Sequence, residues 1–104
     1  MNAQIKKGIL EMCILWIVRS KKSVYGYDLI KKMNEFFPEV NESTFYSILR
    51  RLEQKDCLKC SSEKSTEGPP RKYFFVTQSG EAELQELINE WNELKRIMEG
   101  LGIN

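Results

Sequence analysis

Apolar positions recur along this chain with different periods, and each period predicts a different element. Over residues 4–19 they crowd together: Ile9, Leu10, Met12, Cys13, Ile14, Leu15, Trp16, Ile17 and Val18 leave almost no polar side. A surface helix needs only one apolar stripe, so this one requires covering on two sides, by its own domain and by something else. Lys21, Lys22 and Ser23 break the pattern. A second helix follows over about Tyr25–Phe37, with Leu29, Ile30, Met33 and Phe36/Phe37 inward, and Pro38 stops it. In the third helix, ending near Asp56, Phe45, Ile48, Leu49 and Leu52 recur at i, i+3, i+4 and i+7. Either Asn41 or Ser43 is its N-cap. The opposite side of that helix carries Ser43, Thr44, Tyr46, Ser47, Arg50 and Arg51.

The period then changes. Residues 58–64 and 71–77 read as strands, the second rich in aromatic and β-branched types, and the loop at 65–70 between them contains Gly68, Pro69 and Pro70. Three helices followed by a hairpin is the order of a winged helix-turn-helix. A last helix over about Gln78–Gly100 places Leu84, Leu87, Trp91, Leu94, Met98 and Leu101 at spacings of 3, 4, 3, 4 and 3, with Ile88 and Ile97 alongside. Such a seam needs another helix. It can pack on its own domain, against the first helix, but a two-fold dimer satisfies the spare sides of both helices at once. The expected fold is therefore mainly α with a β wing: a winged helix-turn-helix domain over residues 1–77 and a C-terminal dimerisation helix over 78–104.

Composition adds a bias to this layout. The 104 residues carry a net charge of +1, yet residues 1–77 hold 14 Lys/Arg against 9 Asp/Glu, and residues 78–104 hold 2 against 6. The hairpin and third helix thus belong to a basic portion, which permits contact with nucleic acid. The apolar run Ile9–Val18 is ten residues long and includes Glu11, too short to span a bilayer. Three cysteines make no disulfide framework and point to a reducing cytoplasm.

Three segments together resemble the PadR family of bacterial winged-helix transcriptional regulators, most of them repressors. They are Val24-Tyr25-Gly26-Tyr27-Asp28-Leu29, Ser43-Thr44-Phe45-Tyr46-Ser47-Ile48-Leu49-Arg50-Arg51-Leu52-Glu53, and Gly68-Pro69-Pro70-Arg71-Lys72-Tyr73-Phe74-Phe75-Val76-Thr77. The short C-terminal helix is similar to that of the compact subgroup. The resemblance implies a homodimer on a double-stranded, (pseudo)palindromic DNA operator, with the third helix in the major groove. Ser43, Thr44 and Ser47 would approach backbone or bases, Tyr46 a phosphate, and Arg50 or Arg51 the phosphate backbone. Lys64, Arg71 and Lys72 of the wing, and Tyr25, would add contacts. An Arg-Arg pair is also what an ordinary solvated helix face carries, so the winged-helix context decides its reading. Glu63 and Glu67 partly offset the wing's cations. Where the family commonly has Gly after the third helix this chain has Asp56, which must take up the left-handed turn at some cost.

Some compact members bind flat hydrophobic compounds between subunits. Here Ile5, Met12 and Trp16 share a stripe of the first helix with Gly8, and Leu87, Ile88 and Trp91 lie on the last, so a planar hydrophobic molecule could be sandwiched by indoles; plain core packing explains the same residues. Leu84, Leu87, Trp91, Leu94, Met98 and Leu101 are the expected dimer contacts. No cofactor, metal or membrane contact is expected. Cys57-x-x-Cys60 has no histidine and, besides itself, one cysteine, Cys13, expected to be buried in the first helix. That is too few ligands for zinc. A redox switch at this pair is disfavoured by side chains pointing to opposite faces of a strand. Without histidine, a glycine-rich phosphate loop or convergent carboxylates there is no case for catalysis.

Overall fold

The apolar stripes converge on one core, and the packing shows which side of each helix is spent on it. In the computed structural model, which describes residues 3–65 and 67–104 with side chains from Gly8 onward, the elements are α1 (Ala3–Lys21), β1 (Val24–Tyr25), α2 (Gly26–Phe36), α3 (Glu42–Gln54), β2 (Leu58–Glu63), β3 (Arg71–Val76) and α4 (Gln78–Leu101). Leu10, Ile14, Leu15 and Val18 of α1, Leu29, Ile30 and Met33 of α2, and all four stripe residues of α3 are buried together with Leu58 and Phe74. Among the described residues, no helix is long and apolar enough to cross a membrane.

The hairpin is part of a three-stranded antiparallel sheet in the order β1-β3-β2, because Val24 pairs with Phe74 and Tyr25 with Tyr73. Tyr25, expected at the head of the second helix, therefore lies with Val24 in a short strand, and α2 begins at Gly26. A Cβ on Gly26 would lie 3.0 Å from the Phe74 ring, so the missing side chain lets α2 start against β3. Phe37 ends α2 next to Pro38, which restricts the residue before it. Phe36 is not inward as expected: it is 68% exposed.

Asn41 is the N-cap of α3, without a side-chain cap bond. The other end closes as a Schellman turn. Asp56 adopts φ 61°, its N–H donates to Glu53 C=O, and the Cys57 N–H donates to Leu52 C=O at 2.8 Å. The left-handed turn expected of Asp56 is thus formed by a non-glycine residue.

This turn also receives α4. Thr77, the N-cap of α4, donates through Oγ1 to Asp56 C=O at 2.5 Å, accepts from the Gly80 N–H at 2.9 Å, and donates its own N–H to Cys57 C=O. Approach is so close that a Cβ on Gly80 would sit 2.1 Å from the Cys57 carbonyl oxygen. The first turns of α4 therefore complete the core, and Leu84 is 2% exposed. Its assignment to a contact between chains is corrected: a side chain already enclosed by its own domain has no surface to offer. Leu87 and Ile88 pack partly on the core. Beyond them Trp91, Leu94, Ile97 and Leu101 are exposed.

Candidate nucleic-acid interface

The α3 stripe is held on one side by the core, so the other side is turned to solvent, leaving Ser43, Thr44, Tyr46, Ser47 and Arg50 exposed. The Arg50 Nη2 donates to Ser47 Oγ at 3.2 Å, an i−3 contact that steadies the guanidinium along the helix face instead of pairing it with Glu53. Next to this face lies a groove of about 380 Å³, walled by Tyr25 and Tyr27 at the start of α2, Tyr46 and Arg50 of α3, and Pro70 and Lys72 of the wing. Phenol hydroxyls and two cations facing one concave surface are suited to a phosphate chain. Glu53 also lines it and lowers its positive charge.

Tyr25 is the pivot of this region. Its ring lies 5.6 Å from that of Tyr73 and 5.9 Å from that of Tyr27, and the Arg71 guanidinium stands 5.1 Å above it. The cation–π contact ties the base of the wing to the start of α2. Arg71, Lys72 and Lys64 are all exposed. In the strand register Arg71 stands opposite Glu63 and Lys72 opposite Ser62, so Lys72 is the less neutralised of the two. Tyr27, 61% exposed in the same groove, was not among the expected contacts; the signal for it was the Tyr25-Gly26-Tyr27 spacing, which became meaningful only with the β1 pairing.

Arg51 departs from the expectation that it belongs with the exposed set. It faces α1, where its Nε and Nη2 both donate to Glu11 Oε1, at 2.9 and 2.6 Å. The reason lies in α1: Glu11 is buried among leucines and isoleucines, and a carboxylate there needs a charged partner. Of the two adjacent arginines, the core takes one and leaves Arg50 outside.

A second concavity lies away from this face. An open apolar groove of about 680 Å³ runs between Met12, Cys13, Trp16 and Ile17 of α1, Met33, Phe36 and Phe37 at the end of α2, and Ile88 and Trp91 of α4, with Lys21 and Lys32 at its rim. It unites Met12, Trp16, Ile88 and Trp91 of the expected ligand set. Leu87 turns instead to the core, and the side chain of Ile5 lies outside the described residues. The aromatic wall from α2 was missed because Phe36 was assigned inward. Cys13 lines this groove half-buried instead of buried. Burial pushes up the Cys13 thiol; at Cys57 burial acts first and the Glu83 carboxylate adds to it, so both thiols hold less reactive thiolate. Cys57 and Cys60 are unbridged.

A helix-turn-helix with a two-stranded wing, and a polar helix face exposed beside that wing, defines the class: winged-helix DNA-binding proteins. The sequence profile of the PadR-like transcriptional regulator family matches residues 14–86. An uncharacterised protein of Lysinibacillus sphaericus is 34% identical over 96% of this chain and 97% of its own. Among solved structures, a Streptococcus transcriptional regulator is 31% identical with a TM-score of 0.83, over 97% of this chain and 99% of that one. A PadR-like transcriptional regulator from Bacillus cereus is 34% identical with a TM-score of 0.81, over 98% and 99%. The chain belongs to the PadR-like family, and it is a DNA-binding transcriptional regulator rather than an enzyme.

Proposed function

We propose that this regulator is a cytoplasmic homodimeric repressor that occludes a (pseudo)palindromic operator and is released by a planar hydrophobic ligand. The observation that carries the DNA reading is the groove that brings Tyr46 and Arg50 of α3 together with Lys72 of the wing, with Ser43, Thr44 and Ser47 exposed on the same helix. Ser43, Thr44 and Ser47 at the start of α3 reach base edges, while Tyr46, Arg50, Lys64, Arg71, Lys72, Tyr25 and Tyr27 contact phosphates. Residues 1–77 act as the reading head, whose core borrows the first turns of α4, and the rest of 78–104 joins two heads. Support for the dimer comes from the exposed Trp91, Leu94, Ile97 and Leu101 along one helix, an apolar strip that water covers poorly. A second copy laid on this strip would close the open side of the groove bearing Trp16 and Trp91, making a slot for a flat molecule. Release requires that the ligand bind the DNA-incompetent spacing of the heads more tightly than the competent one.

The test is binding of the purified protein to its own upstream region and to a scrambled duplex, at two salt concentrations. Preference for the upstream region that survives higher salt supports a sequence-specific regulator. Equal binding to both points to non-specific packaging, and binding to neither points to a winged helix used for protein interaction.

A further inference from the structure

We propose that the Glu11–Arg51 pair sets the orientation of α3, making Arg51 a positioning residue for DNA recognition and not a phosphate contact. The inference rests on the DNA reading above and concerns how the reading face is held. Glu11 is the buried charged residue of the core, 6% exposed, among the described residues. Both donors of the Arg51 fork converge on its Oε1. An apolar pair would fill the same space without the desolvation cost, so retention of charge calls for a role that packing does not supply. Burial of the α3 stripe sets which side faces the core, but it is non-directional and leaves small rolls and slides within that facing. A forked, charge-assisted hydrogen bond does not, because it has a fixed length and angle.

Position along the helix gives the pair its leverage. Thr44 and Ser47 lie seven and four residues before Arg51, on the helix row that runs into it, so a roll at Arg51 is a roll of both hydroxyls. At the N-terminal end of α3 the polar contacts are weaker: Asn41 makes no side-chain cap bond, and Asn34 donates to Glu42 in an exposed cross-helix hydrogen bond at 3.4 Å. Orientation is therefore fixed from the C-terminal half, and through Glu11 it is referred to α1.

The test uses a duplex selected by the wild-type protein from a random-sequence pool, with a scrambled duplex of equal composition. Affinities are measured across a salt series, alongside thermal unfolding. For the double variant Glu11→Leu/Arg51→Met, the expected result is cooperative unfolding, wild-type affinity and salt slope on the scrambled duplex, and a selected-over-scrambled ratio reduced about tenfold, comparable to losing one base-pair contact. Arg51→Lys keeps the charge but not the fork, and is expected to lose the ratio while keeping the slope; it carries the test should the double variant not fold. A slope shallower by about 0.9 per protomer would make Arg51 a phosphate contact and overturn the proposal. So would a wild-type ratio in either folded variant. A wild-type protein that selects no sequence removes the DNA reading itself, a failure visible before any variant is made.

Discussion

α3 and α4 are both amphipathic, and the fold uses them in opposite ways. In α3 every apolar stripe residue is consumed inside its own domain, and what remains outside is polar: hydroxyls, a phenol and a guanidinium, with the carboxylates of Glu42 and Glu53 at its two ends. In α4 the stripe is divided. Leu84 is enclosed at 2% exposure, while Leu94, on the same seam, stands 46% exposed. A helix with a fully spent apolar side has a polar face to use on a polar partner. A helix with unspent apolar surface has something left to bury. The boundary between the two behaviours lies near Leu87 and Ile88, where the core gives out but the heptad spacing continues.

The largest break in this comparison comes at the junction joining the two helices. Gly80→Ala forces a methyl into the Cys57 carbonyl and the Val76 side chain, and is expected to destabilise the protein by about 3 kcal/mol or slightly more in chemical denaturation, at the upper end for overpacking because the neighbour is backbone. Next come two truncations of the same seam with different outcomes. Leu84→Ala opens a cavity in the core and lowers unfolding free energy by about 3 kcal/mol. Leu94→Ala is expected to leave the fold of the isolated chain nearly unchanged but to shift sedimentation of the proposed dimer toward monomer. Equal effects of the two on folding would mean that α4 is not divided. The smallest effect is a gain: Asp56→Gly relieves a left-handed non-glycine residue and is expected to stabilise by roughly 0.5–1 kcal/mol, read from the same denaturation curves.

Much of this layout could be read in the sequence, and what could not has a physical reason. The stripe of α3 was legible because four apolar residues at helical spacing admit one facing. The wing was legible from its turn residues. The β1 strand was not, since two residues are too short to show a period and Val24 and Tyr25 form a strand only because β3 lies alongside. Periodicity marked α4 as a seam along its whole length, but where the core ends along it depends on the Thr77 junction, which no local pattern displays. Arg50 and Arg51 are adjacent in sequence and differ by one helical step in facing. The clue to their separation was Glu11, a lone carboxylate in an apolar helix, which demanded a cation without naming it.

The central claim, that the polar face of α3 and the base of the wing read DNA while the end of α4 does not, is tested most directly by amide hydrogen exchange with and without a selected operator duplex. The account predicts slowed exchange concentrated in residues 43–50 and 71–73, with residues 91–101 unchanged by DNA. Protection confined to α4, or no protection in α3 under conditions where the duplex is bound, would contradict it.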